Sequence, residues 1–316
     1  MLKISKLKFI WIIAMLCVVV SCTKEGQYQP KKKISTISSS YTTKVERLEG
    51  DVWVTVDESI TPTYVSQIWS WNESANRLES ISFYNENGEL EYTDYFRYHK
   101  DNRLESIFWA PVERYDFIYL KDMLTAIKYY HGSTCEAAYI FSRSRKRINK
   151  ITYTAYSNRD GEAHPLPSCV LDSRFPFHPI QGLEQVKSFK GGTSCEYWLQ
   201  WDKAGDNVDC IAYQTPTESL SFLFTYDNKS NPLYKLWEKD ATFGGEYAYA
   251  NFSCPCSFSK NNITLCSVLS NNKHIMDIHY TYSYEGDYPS SATCSYQYVE
   301  GDERHSVSMT TIYEYE

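Results

Sequence analysis

Most familiar catalytic signatures are missing from this sequence. It has no Gly-x-Ser-x-Gly elbow, no phosphate-cradling glycine loop with its lysine and no His-Glu-x-x-His. It also lacks a Cys-x-x-Cys pair, so a zinc site built from Cys254, Cys256, Cys266 and His274 would miss its usual first half. No metal and no cofactor are expected. Beyond the N-terminal segment no long stretch repeats its apolar residues every 3.6 positions, which excludes a helical bundle. The apolar run Phe9 to Val20 is 12 residues long, too short to cross a bilayer as a helix. Basic residues are outnumbered, 32 against 39 acidic, so there is no electrostatic footprint for nucleic acid.

Lys3, Lys6 and Lys8 precede the apolar run, and Val19-Val20-Ser21-Cys22 closes it with a small residue before a cysteine. Together these features describe an export signal over residues 1–21. The closing tetrad resembles the bacterial lipobox, with an aliphatic residue three places before the cysteine. That resemblance implies cleavage before Cys22, diacylation of its sulfur and acylation of the new amino group, enough acyl chains for stable anchoring. Residue 24 is Lys and not Asp, so the usual mark of inner-membrane retention is missing. Lys24-Glu25 resembles the short charged surface-export signal of Bacteroidota-type lipoproteins. The expected location is the outer membrane, lipid-anchored, on its periplasmic or cell-surface side. Without the signal the chain keeps 29 basic and 39 acidic residues, a net of −10.

Eight cysteines remain besides Cys17 and Cys22: Cys135, Cys169, Cys195, Cys210, Cys254, Cys256, Cys266 and Cys294. An even number in an exported chain predicts disulfides. Two pairs bracket apparent hairpin turns: Cys256 and Cys266 about Lys260-Asn261-Asn262, and Cys195 and Cys210 about Ala204-Gly205-Asp206. Residues facing each other in a non-hydrogen-bonded pair are close enough for a bridge.

Residues 22–40 are rich in Ser, Thr, Lys and Gln and predict a flexible tether, leaving 41–316 as a single β domain. The 28 Tyr, 14 Phe and 8 Trp sit mostly at alternating positions, the period of half-buried strands. A loose repeat emerges, in which an aromatic strand end is followed by two aliphatic residues three apart. Its copies are Trp71…Leu78-x-x-Ile81, Tyr98…Leu104-x-x-Ile107, Tyr119…Leu124-x-x-Ile127, Phe141…Ile148-x-x-Ile151, Trp201…Val208-x-x-Ile211 and a degenerate Tyr226…Leu233-x-x-Leu236. Each copy predicts a hairpin, and the series predicts an all-β antiparallel meander that forms a curved barrel or a barrel-like sheet. The basic run Arg143, Arg145, Lys146 and Arg147 reads as a charged turn. A proline-rich loop at about 158–182 interrupts the pattern.

The aromatic hairpins, Phe258-Ser259-Lys260-Asn261-Asn262 and Tyr280-x-Tyr282…Tyr288-Pro289-Ser290-x-Ala292 resemble a family of Bacteroidota-type lipoproteins of unassigned function with a porin-like fold. The resemblance covers roughly residues 40–316 and implies a porin-like barrel without assigned catalytic residues. Tyr226-Asp227-Asn228 and the tyrosine pattern are also similar to the YD repeats of secreted shell-forming proteins. A water-soluble barrel is expected, because Asp94 shares a strand face with Tyr92, Phe96 and Tyr98, and residue 316 is Glu where outer-membrane barrels usually end in an aromatic.

The functional expectation is a non-enzymatic binding or scaffolding role. Its partners would be the membrane, through the lipid, and a glycan or envelope protein. His164, Arg174, Phe175, Phe177 and His178 mark a candidate binding loop, with plugging of the barrel by the two phenylalanines as the alternative. Trp69, Trp71, Trp198 and Trp201, with Trp109 and Trp237, are candidates for sugar stacking or for core. A hydrolase using paired carboxylates, such as Glu89 with Glu91, is the remaining alternative.

Overall fold

The computed structural model describes residues 25–159, 162–165, 195–214, 219–236 and 258–316. The first strands are β1 (Ile34–Glu49), β2 (Val52–Asn72), β3 (Arg77–Tyr84), β4 (Leu90–Tyr98), β5 (Leu104–Ala110), β6 (Glu113–Leu120), β7 (Met123–His131), β8 (Thr134–Ser144) and β9 (Arg147–Arg159). They are followed by β10 (Glu162–Pro165), β11 (Cys195–Trp201), β12 (Val208–Gln214), β13 (Ser219–Ser230), β14 (Asn261–Ser270), β15 (Lys273–Glu285), β16 (Tyr288–Glu300) and β17 (Glu303–Tyr315).

Apart from β10 and β11, each strand pairs antiparallel with the next, and β1 closes the ring by pairing with both β2 and β17. The short β10 lies outside the ring, on the far end of β9, whose nearer half pairs with β11. The result is a closed antiparallel barrel of 16 strands. No helix or second sheet covers it among the described residues, so only the inside can bury side chains. The inner face holds Leu78, Ile81, Leu124, Ile151, Ile211 and Ile278, each 2% exposed or less.

A spacing of three should put Leu78 and Ile81 on opposite faces of a strand, yet both are buried. The register explains it. Trp71 opposes Leu78 while Ser70 opposes Ser80, so Glu79 is an extra residue in a β-bulge. The same shift recurs near this end of the barrel at Glu105, Thr125, Asn149, Asp209, Thr264, Ser290 and Ser35. The bulged residue is polar every time, which keeps the two aliphatic neighbours inside.

Bulging leaves one carbonyl out of the ladder in each hairpin, and a side chain satisfies it from the next hairpin round the ring. Tyr98 donates to Leu78 O, Tyr119 to Leu104 O, Tyr226 to Val208 O, Tyr282 to Ile263 O and Tyr315 to Pro289 O, while the Trp71 and Trp201 indoles donate to Ile34 O and Ile148 O. Arg143 takes the remaining place, donating to Leu124 O at 2.8 Å. The aromatic that recurs at the strand end is therefore a polar tether on an apolar body.

The end bearing these bulges is closed. Residues 25–33 cross it before entering β1. Glu25 pairs with Arg143 at 2.7 Å and accepts from Leu124 N, Gly26 O accepts from Leu104 N, and the Tyr28 hydroxyl donates to Pro232 O. The Tyr28 ring lies against Trp69 and Trp71. Pro232, Leu233, Leu236 and Phe258 are buried at the same end.

Three expectations are corrected here. Residues 22–40 are not simply a tether, because Tyr28 is core and β1 starts at Ile34. Their hydroxyl-rich composition reflects a strand whose outer face is wet. Leu233 and Leu236 do not belong to a returning strand; Tyr226 opposes Ile263, and the two leucines plug the closed end. Lys260-Asn261-Asn262 is not a hairpin turn. Asn261 and Asn262 begin β14, with Asn262 N donating to Asp227 and Asn261 N to Asn207. The run at Arg143–Arg147 is a charged turn as expected, with Arg145 at φ 60°.

Candidate functional site

Antiparallel alternation places the β1–β2 and β3–β4 turns at the end opposite the plug. There the interior becomes polar: Gln67, Asp94, Ser66 and Ser39 are buried beyond the aliphatic layer. Ser39 and Ser66 share a hydrogen bond of 2.8 Å, and Gln67 accepts from the Trp69 indole at 3.0 Å. Asp94 therefore points inside, and its strand face says nothing about lipid.

A cavity of about 510 Å³ opens at this end, between β1, β2 and the β3–β4 hairpin. Its aromatic part is Tyr41 and Tyr64, 6.3 Å apart, and Tyr92 stacked on the buried Phe83 at 4.6 Å. Its polar part includes Gln67, Asn85, Asn87, Glu86 and Glu91 with hydroxyls such as Thr43 and Thr61. Among the described residues no lysine, arginine or histidine lines it. The β3–β4 turn is fixed by Asn85 Oδ1, which accepts from the backbone N–H groups of Asn87 and Glu89, and by Gly88 at φ 76°, a conformation that favours glycine. Glu86 accepts a 3.3 Å hydrogen bond from Thr61, tying the turn to β2.

Of the candidate residues singled out from sequence, Glu91 lines this cleft, and none of the candidate tryptophans among the described residues does. Trp69 is core; Trp71 and Trp201 pack at the closed end; Trp198 points outward and is 44% exposed. The four do not share a surface, and Trp237 lies outside the described residues. His164 is on β10, while Arg174, Phe175, Phe177 and His178 lie outside the described residues. The signals that could have revealed the cleft are Asn85-Glu86-Asn87-Gly88, a turn after an aromatic strand, and Pro62, a residue sheets tolerate at edges.

The proposed bridges are also corrected. Cys210 opposes Gln200, whereas Cys195 opposes Tyr153 at the other end of β11. The hairpin folds on Asp202–Asn207, later in the chain than the midpoint of the two cysteines, so they are not cross-strand neighbours. Cys266 opposes Phe224 and Ile278 within the sheet, and Cys256 lies outside the described residues. Cys135, Cys210, Cys266 and Cys294 are free thiols. Burial pushes the Cys294 thiol up to about 12 and Cys266 higher still, keeping both protonated at neutral pH. In the native protein Cys266 and Cys294 are therefore expected to resist iodoacetamide, and denaturation should expose them. Labelling of native Cys266 as fast as outward-facing Cys210, read by peptide mass spectrometry, would contradict its buried placement.

Outward positions on β16, β17 and β1 are hydroxyl-rich: Thr293 and Ser295, then Ser306, Ser308 and Thr310, then Ser38, Ser40 and Thr42. Asp116 beside Lys128, and Lys150 with Glu196, add charge elsewhere on the outside. A lipid-facing barrel needs an apolar band on every strand, and these strands do not supply one.

The fold and site define a closed antiparallel barrel, plugged at one end and carrying a polar, ring-lined cleft at the other. The chain is similar to a porin-like protein from Bacteroides uniformis, with 14% identity and a TM-score of 0.48 over 92% of this chain and all of that one. It is more distantly similar to a Photorhabdus luminescens Tc holotoxin pore, with 10% identity and a TM-score of 0.27. That match takes in 84% of this chain but only 16% of the holotoxin chain. No protein-family model and no curated protein matches this chain. The barrel rests on its own strand registers.

Proposed function

We propose that the protein is a lipid-anchored envelope lipoprotein that captures a neutral, polyhydroxylated ligand, an oligosaccharide, in the open-end cleft and does no chemistry on it. The lining of the cleft carries this reading. The half-buried rings of Tyr41, Tyr64 and Tyr92 suit the C–H face of a sugar, surrounding amides, carboxylates and hydroxyls suit its hydroxyl groups, and the lack of a cation among the described lining residues disfavours acidic sugars. Orientation supports it. Cys22 and Glu25 are only three positions apart, at most about 10 Å of extended chain. A lipid on Cys22 would thus hold the plugged end near the membrane and turn the cleft away from it.

The test is a glycan array followed by calorimetry on the mature chain carrying Cys22→Ser. Neutral oligosaccharides should bind, uronate-bearing ones should not, and Tyr92→Ala should weaken binding about tenfold, or about 1.4 kcal/mol. Absence of neutral-glycan binding, or indifference to Tyr92→Ala, would refute the cleft as the site. Bound sugar should be recovered intact. New reducing ends that disappear in Glu86→Gln or Glu91→Gln would establish a hydrolase instead. Palmitate labelling of the wild type but not of Cys22→Ala tests the anchor.

A further inference from the structure

Beside the cleft runs an open sheet edge. β1 pairs with β2 from Val52 to Ile68, but β3 covers the other side of β2 only from Gln67 to Asn72. From Val52 to Ser66, over two-thirds of a 21-residue strand, that second side has no ladder partner among the described residues. An antiparallel strand turns alternate N–H and C=O groups to each side, so this edge offers a ready template for another strand. Its side chains are exposed as well, with Val52 and Ile60 63% and 67% accessible.

The edge carries an uncharged, strongly β-forming run, Val52-Trp53-Val54-Thr55-Val56, between Asp51 on one flank and Asp57-Glu58 on the other. Among the described residues none of these three carboxylates is in a salt bridge. The nearby cations are committed elsewhere: Lys44 and Arg304 to Glu46, and Arg47 to Glu303. Lys44 lies directly across from Glu58 but its ammonium pairs with Glu46, so the flanks keep a net negative charge at both ends of an apolar strand.

This charge pattern decides the occupant. Two copies of the edge paired antiparallel about Val54 would set Asp51 opposite Asp57, and like charges directly opposite destabilise a pair. Acidic flanks guard the run against its own kind and favour the opposite sign. We propose that the β2 edge is a docking site for an extended segment of another protein, β-branched and apolar in its middle and bearing Lys or Arg at both ends, which adds as an extra strand. The docking run from Val52 to Glu58 lies outside the cleft lining, which begins on β2 at Ser59, so the two can be tested separately.

The experiment titrates two fluorescent peptides onto the mature chain with Cys22→Ser and reads anisotropy at low salt. Both share an alternating Val-Thr centre; one is flanked by lysines, its twin by glutamates. The lysine-flanked peptide should bind at least about tenfold more tightly, and added salt should erase much of the difference. N-methylation of alternate peptide amides should abolish binding in one set and spare it in the other, as strand addition requires. Asp57→Lys with Glu58→Lys should reverse the preference toward the glutamate-flanked twin, which also shows that the variant is folded. Oligosaccharide binding should be unaffected by these flank changes. The proposal is overturned if neither peptide binds at millimolar concentration, if the twins bind alike, or if both N-methylated sets bind equally. A dimer of the chain that Asp57→Lys with Glu58→Lys alters would assign the edge to a second copy instead.

Discussion

Between about pH 10 and pH 12 the barrel is expected to lose most of its stability. Burial pushes the phenols of Tyr28, Tyr98, Tyr119 and Tyr315 well above the ordinary tyrosine value of 10.0. The folded state holds these four protons at a pH where the unfolded chain gives them up. Their contribution is therefore complete below pH 10 and falls as the pH rises toward the folded values. Each such group removes up to about 1.4 kcal/mol per pH unit above 10, so four together remove up to about 5–6 kcal/mol per pH unit, against a total stability of about 5–15 kcal/mol. Thermal melts at successive pH values, with phenolate absorbance followed in parallel, should show cooperative unfolding coincident with tyrosine ionisation. Tyr98→Phe should flatten the slope by about one group. Smooth ionisation with an intact β spectrum to pH 12 would show that these hydroxyls are not held as described.

Tyr28→Ala is the second large effect. This ring lies under the strap of residues 25–33, touches Trp69 and Trp71, and its hydroxyl reaches Pro232 O at 2.7 Å, 204 residues along the chain. Removing it empties a large site in a closed end that little else can fill, at a cost of about 3–5 kcal/mol. It also leaves a buried carbonyl without its donor. The midpoint of urea unfolding should drop accordingly, with the open-end cleft still formed under native conditions. A change below about 1 kcal/mol would mean that the strap is loosely held and the plug is made by the leucines alone.

The hairpins were legible because the pattern that makes them is local. Leu104-x-x-Ile107 and its relatives announce themselves by spacing, although their meaning, a bulge with a polar residue pushed out, needs the facing strand. The strap was not legible. Glu25 and Tyr28 sit in a polar stretch whose partners, Arg143 and Pro232, are distant in sequence. The cleft was missed for the same reason: Tyr41, Tyr64 and Tyr92 are ordinary strand aromatics until three strands meet. The Cys195–Cys210 bridge failed because the hairpin folds later than the midpoint of the two cysteines, which puts Cys210 opposite Gln200, and the Cys256–Cys266 bridge because Asn261 and Asn262 enter a strand instead of turning.

By itself the sequence determined the strand content, the antiparallel hairpin order and the aliphatic residues that fill the barrel, since alternation and turn chemistry act between near neighbours. Its N-terminal motif also set the expectation of a lipid on Cys22. Tertiary structure alone decided closure through β1 and β17, which end of the barrel is plugged, and which rings line a cleft. Those outcomes depend on contacts between residues scores to hundreds of positions apart, and no local period records them.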